Sequence, residues 1–187
     1  MRCVSTSRVW RWLLLFLLVV AVAVPRGGLA QSREYLLKAG FIEKFTHFVT
    51  WPGAQIRGDS LFRVAVLGEN RFGLTLQEIF SKVKVEKRTV AVSYISDIDE
   101  IGDAKILFIS GSVGGEMADN IFSHTRGKPI LTIAETKGFG KRGAMINLLV
   151  VDNFIRYEIN LKALGQSGLR MSSLLMNSAI IVEPDEK

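Results

Sequence analysis

Lys105 to Ala134, KILFISGSVGGEMADNIFSHTRGKPILTIA, reads as strand, helix and strand, and that reading decides the fold. Lys105–Ser110 is a short β run, Glu116–His124 a helical stretch, and Pro129–Ala134 a second β run. A helix between two strands implies a crossover unit, and crossover units build parallel sheets.

The alternation continues upstream, with Phe62–Leu67 as strand, Gly73–Phe80 as helix and Thr89–Ile95 as strand. Downstream of Glu135 the pattern changes. Ala144–Val151 and Phe154–Asn160 flank the two-residue turn Asp152-Asn153, a hairpin signal. In the second arm Arg156, Glu158 and Asn160 share one face, and Ile155, Tyr157 and Ile159 the other, which predicts an edge or surface strand with one wet face. Leu169–Ile180 carries Met171, Leu174, Leu175 and Ala179 at helical spacing, ahead of a polar tail, Glu183–Lys187. Near the other end, residues 32–49 place Leu37, Phe41, Phe45 and Phe48 at helical spacing with Ile42 and Val49 alongside, and Trp51-Pro52 ends the helix. The expected architecture is α/β: a single domain with an open, mostly parallel sheet flanked by helices, closed by an antiparallel hairpin and a final helix.

Trp12–Val24 is unbroken apolar sequence behind Arg2, Arg8 and Arg11, with no acidic residue before Glu34. Such a run spans roughly 20 Å as a helix, short of the ~30 Å of a bilayer core, and Pro25, Gly27 and Gly28 are expected to break it. Residues 1–30 therefore read as an export signal, cleaved after Ala30, with residues 31–187 as the mature domain. Cleavage takes away Arg2, Arg8, Arg11 and Arg26 and no acid, so the net charge falls from +6 to +2. A nucleic-acid surface loses its support, because phosphate neutralisation needs a clustered cationic excess. The Lys82, Lys84, Lys87, Arg88 cluster reads as a solvated strand start. Cys3 leaves with the signal, so the mature chain has neither disulfide nor thiol ligand.

Motifs for catalysis or cofactor binding are weak. Gly138–Gly143 matches the G-x-G-x-x-G string, yet a strand rather than a helix is expected after it, and a connection feeding the hairpin explains the glycines. Ser110–Gly115 follows a strand and opens a helix, so its amides are the better anion candidate, although it lacks a P-loop lysine. His47 and His124 sit in helical stretches without a metal-ligand pattern, and Asp97, Asp99, Glu100 and Asp103 lack calcium-loop spacing. No G-x-S-x-G elbow occurs. The reading is therefore non-enzymatic, with no catalytic, cofactor-binding or metal residues assigned.

Five aromatics fall between Tyr35 and Trp51, more than one helix face needs. Taken whole, Tyr35–Pro52 (YLLKAGFIEKFTHFVTWP) resembles the opening helix of the YfiR-like family of exported bacterial proteins. The likeness continues through Phe62–Gly68, Ile106–Ser110, Pro129–Ile133, Gly143–Asn147, Arg156–Asn160 and Gly168–Leu175. That resemblance implies a periplasmic α/β regulator, not an enzyme, which binds the periplasmic domain of an inner-membrane diguanylate cyclase and holds it inactive, lowering cyclic-di-GMP and biofilm formation. It further implies an OmpA-like outer-membrane lipoprotein as a second partner. A sensor kinase is the alternative signalling partner, because the same domain type occurs fused to such kinases. The mature chain, lacking cysteine, departs from the members that couple folding to redox state.

The resulting expectation is a protein-protein interaction module without cofactor. Phe41, Phe45, Phe48 and Trp51 of the aromatic helix, Arg156 and Glu158 of the strand, and Arg170 and Ser172 of the last helix are the candidate partner-binding residues. A second copy of the chain is a further candidate partner. The competing class is a periplasmic small-ligand binding protein feeding a sensor kinase through Ser110–Gly115 or Gly138–Gly143.

Overall fold

The computed structural model describes residues 27–52 and 61–184. By compactness the chain divides into Met1–Glu34 and Tyr35–Lys187. Of the first unit, only the start of helix α1 (Gly27–Phe45) falls within the described residues, so most of the export-signal reading lies outside them. Gly27 and Gly28 lie in the first turn of α1, and the apolar run they were expected to end lies outside the described residues.

In the second unit the first element after α1 is the two-residue strand β1 (Val49–Thr50), and β2 (Phe62–Leu67) begins the main sheet. Helix α2 (Thr75–Phe80) leads to the hairpin β3 (Lys84–Val85) and β4 (Arg88–Ile95), and then comes β5 (Ile106–Ile109). Helix α3 (Gly115–Thr125), β6 (Leu131–Ala134) and the one-turn helix α4 (Phe139–Arg142) follow, before the hairpin of β7 (Ile146–Val151) and β8 (Phe154–Asn160). The chain finishes with α5 (Leu161–Ser167), β9 (Arg170–Met171), α6 (Ser173–Asn177) and β10 (Ile180–Val182).

Among the described residues the main sheet has eight strands in the order β10-β8-β7-β6-β5-β2-β4-β3. Its centre is parallel from β4 to β7, and the β7-β8 hairpin is antiparallel. The mostly parallel α/β architecture expected from the alternating runs is the one observed. The strands that reverse direction do so at hairpins whose turn residues are left-handed: Asp152 and Asn153 at φ 50° and 62°, Glu86 and Lys87 at φ 48° and 67°. That is the backbone a right-twisted two-residue hairpin requires. The first turn was legible from Asp-Asn, whereas Glu-Lys gives no such signal.

Period-two alternation sorts the central strands between two cores. Val64, Val66, Ile106, Phe108, Leu131 and Ile133 face the layer containing α1 and α2. Ala65, Leu67, Leu107, Ile109 and Ala134 face α3 and α4. Each fully buried Phe or Ile contributes about 1.5–3 kcal/mol relative to exposure, so both layers are needed to hold the sheet. The inward stripe of α1 is Tyr35, Lys38, Ala39, Ile42 and Phe45, rotated from the expected one. Leu37 is 45% exposed, and Phe41 and Phe48 are half-buried.

The C-terminal expectation is corrected. Leu169–Ile180 does not form one helix but β9, α6 and the approach to β10, because two sheet edges offer it backbone partners. Met171 and Arg170 pair with Val49 and Thr50, and Ile180–Val182 pairs in parallel with Glu158–Asn160. A run of β-branched residues gains more from such an edge than from one more helical turn. The helix lies earlier, at α5, where the Asn160 side chain accepts the Ala163 N–H and Gly168 closes the end at φ 75°. This also corrects the β8 reading: β8 is not the outermost strand, and Asn160 is buried rather than wet.

Gly143 shows how tightly the second layer is built: its φ is 140°, and an added Cβ would lie 2.9 Å from the Phe122 Cβ. Gly143→Ala is expected to cost about 1–3 kcal/mol. Gly165, within α5 and facing open space, should gain about 0.5–1 kcal/mol on replacement by alanine. Urea unfolding of the two variants checks both signs, and equal midpoints would contradict the packing described.

Candidate functional site: a self-filled switch point and an aromatic groove

In chain order the parallel strands β2, β4, β5, β6 and β7 occupy the spatial order β4-β2-β5-β6-β7. The order reverses between β2 and β5, and such a switch point opens a crevice beyond the carboxyl ends of the strands. Here three loops converge on it. Gly68 follows β2 at φ 94°, where a Cβ would meet the Ser112 Oγ at 2.7 Å, so only glycine lets the two loops touch. The Glu69 N–H donates to that Oγ at 2.8 Å.

The anion position at this crevice holds the protein's own Glu135 carboxylate, which follows β6. Glu135 Oε1 accepts the Gly111 N–H at 2.6 Å and the Tyr35 hydroxyl at 2.8 Å, and Oε2 accepts the Lys38 ammonium at 2.6 Å. The Lys38 and Glu135 side chains are 5% and 3% exposed. Burial, reinforced by the neighbouring carboxylate, pushes the Tyr35 hydroxyl well above the ordinary tyrosine range. The Ser110–Gly115 turn thus receives an internal anion at Gly111. Its helix start at Gly115 is covered by Arg142, whose Nη2 donates to the Gly115 carbonyl at 2.6 Å.

The other glycine-rich segment is also occupied by the chain itself. Gly140 lies where a Cβ would be 2.6 Å from Glu158 Oε2, and Glu158 Oε2 accepts from Asn147 Nδ2 at 2.9 Å. The segment contains the one-turn helix α4 rather than a plain connection. The acidic cluster caps the 3-10 turn Ile98–Glu100: Asp97 accepts the Asp99 N–H at 3.0 Å, and Glu100 accepts the Asp97 N–H at 3.0 Å. His47 is exposed and held by Glu43 of the preceding turn at 2.6 Å.

Half of the candidate partner residues converge. Phe41, Phe45, Phe48 and Arg156 line one open groove of about 320 Å³ between α1, β8 and α6, with Lys44, Ile155, Tyr157 and Leu174 completing much of its wall. Phe45 is fully buried at its base, its ring 5.4 Å from Tyr157, while Phe41 and Phe48 are half-exposed. Leu174 is 69% exposed at the rim. The other four lie elsewhere. Trp51 is a core residue, edge-on to Phe62 at 5.0 Å and donating its indole N–H to the Lys105 carbonyl at 3.2 Å. Glu158 faces Asn147 on the opposite side of β8, the face on which the Arg156 guanidinium lies 6.0 Å from the Phe154 ring, so Arg156 meets the groove only at its margin; Ser172 caps α6 by accepting the Leu174 N–H, and Arg170 is exposed on β9. Burial removes Phe45 and Trp51 from any surface role.

A family model described as DUF4154, YfiR/HmsC-like, matches residues 35–180. The chain belongs to the YfiR/HmsC-like family. Among curated proteins none matches it. The matched region starts at Tyr35, which donates to Glu135, and ends at Ile180, which pairs with Glu158, so it takes in both the switch point and the groove. The family is a periplasmic, regulatory one. No helix among the described residues is long and apolar enough to cross a membrane.

Lys38 and Glu135 were not singled out by the sequence reading. The available signal was a lysine on the inward stripe of α1, three residues after Tyr35 and four before Ile42, but nothing in the chain names an acid 97 residues away as its partner. Lys38→Met leaves a buried carboxylate short of its cation and should cost about 3–5 kcal/mol in urea unfolding. Tyr35 adds a pH signature. An unfolded tyrosine ionises near ~10 while the folded one keeps its proton, so stability present below that pH is lost as pH rises above it. Tyr35→Phe should flatten the alkaline decline, and an unchanged pH profile would contradict the assignment.

Proposed function

We propose that this protein is a periplasmic repressor of a membrane-bound diguanylate cyclase, which it contacts through the groove between α1, β8 and α6. The carrying observation is that Phe41 and Phe48, and Leu174 more than 120 residues further along the chain, bring exposed aromatic and aliphatic surface to a single groove, with Arg156 at its margin. Family membership supplies the signalling context. Exposed aromatic and aliphatic surface flanked by Lys44 and Arg156 suits an amphipathic acidic segment of the cyclase's periplasmic domain. Residues 1–30 act as the export signal in this reading, and an outer-membrane OmpA-like lipoprotein competes for the repressor. The small-ligand reading at the glycine-rich turns has less support, because Glu135 and Glu158 already occupy those positions.

Arg156→Ala and Leu174→Asp change exposed side chains and should leave the melting temperature within a few degrees. Each is expected to weaken capture of the cyclase's periplasmic domain about thirtyfold, equivalent to ~2 kcal/mol, and to raise cellular cyclic-di-GMP. The periplasmic protein should begin at Gln31 by mass spectrometry. Folded variants that capture the cyclase normally and leave cyclic-di-GMP unchanged would sink the proposal.

A further inference from the structure

On the face of the sheet opposite the groove lies a larger open cavity of about 760 Å³, framed by α3, α4 and α5. Its size is within the ~300–1,000 Å³ of small-molecule sites. The floor is made of nearly buried side chains, Phe122, Thr125, Thr132 and Met145. The walls are basic: Arg126, Lys141, Arg142 and Lys162 line the cavity, with Asp119 as the acidic residue among the lining.

Asp119 is already committed to Arg142. The guanidinium Nε donates to Asp119 Oδ1 at 3.1 Å and Nη2 to Oδ2 at 2.7 Å, and the same Nη2 donates to the Gly115 carbonyl. Arg142 is therefore held in place and its charge balanced. Arg126 follows α3, Lys141 sits on α4 and Lys162 on α5, so three separate elements each bring a cation to one concave surface. Like charges gathered around a low-dielectric floor repel one another and focus a positive potential into the cavity, a cost that a bound anion removes. A planar guanidinium and two ammonium groups match the oxygens of a phosphate group.

We propose that this cavity binds a small phosphate monoester whose organic part rests on the floor formed by Phe122 and Met145. The doubly charged group takes its contacts from Arg126, Lys141 and Lys162. The site is independent of the groove and stands or falls apart from the cyclase contact.

The test titrates the purified protein with phenyl phosphate, with inorganic phosphate and phenol as separate controls, by calorimetry in low-salt buffer. Saturable one-to-one binding of phenyl phosphate is expected, tighter than inorganic phosphate alone and weakened by added salt. Arg126→Ala and Lys162→Ala should each weaken it about tenfold or more, as loss of a charge-assisted contact does. Lys82→Ala, an exposed cation between α2 and β3, should leave it unchanged. Absence of saturable binding at millimolar phenyl phosphate would overturn the proposal, as would equal affinity in folded Arg126→Ala and Lys162→Ala proteins. Equal affinity for inorganic phosphate would refute the role of the floor. Binding that emerges only after Asp185→Asn and Glu186→Gln would mean that the anion is the chain's own, and would also overturn it.

Discussion

A carboxylate buried at the end of a strand must be surrounded by donors, and Glu135 obtains them from three parts of the chain. Lys38 and Tyr35 reach it from the first helix, and Gly111 offers an amide from the β5-α3 turn. Leaving such a group with a donor missing costs far more than the intact cluster contributes, so the cluster specifies arrangement more than it adds stability. It ties α1 to the carboxyl ends of β5 and β6. The position of α1 in turn determines where Phe41 and Phe48 emerge, and hence where the groove lies.

The same carboxylate explains why a fold whose switch point commonly receives ligands is here turned to another use. Doubly wound sheets bind anions at strand-to-helix turns because free amides point outward. In this chain Glu135 takes the Gly111 amide, and Arg142 lies against Gly115. Glu158 lies over Gly140 in the second glycine-rich segment. With the Gly111 amide taken and the approaches to Gly115 and Gly140 filled by side chains, two surfaces are left for recognition: an aromatic groove on one face of the sheet and a basic cavity on the other.

These two surfaces divide the chemistry. The groove is apolar at its base and cationic at its margins, as protein contacts tend to be. The cavity has its cations on α4, on α5 and just after α3, over a packed floor, the arrangement of a site for a small charged molecule. Both belong to the region shared with the YfiR/HmsC-like family. They share the sheet between them, with Tyr157 facing the groove and Asn160 the cavity from the same strand.

Local chemistry in the sequence was enough to determine the central architecture. Continuous β runs such as Ile106–Ile109 next to a helical Glu116–His124 leave little choice but a crossover, and Asp152-Asn153 announces its own hairpin. The density of aromatics from Tyr35 to Trp51 also marked α1 as unusual, though not which of them reach the surface. That depended on the helix rotation, which Lys38 sets by finding Glu135 97 residues away. The tertiary structure alone decided that Trp51 and Phe45 are core, that Glu158 turns inward, and that Leu169–Ile180 breaks up to pair with β1 and approach β8. The physical reason is common to all of them: periodicity reports what a segment prefers by itself, whereas a buried ion pair or an open strand edge acts only once distant parts of the chain have met.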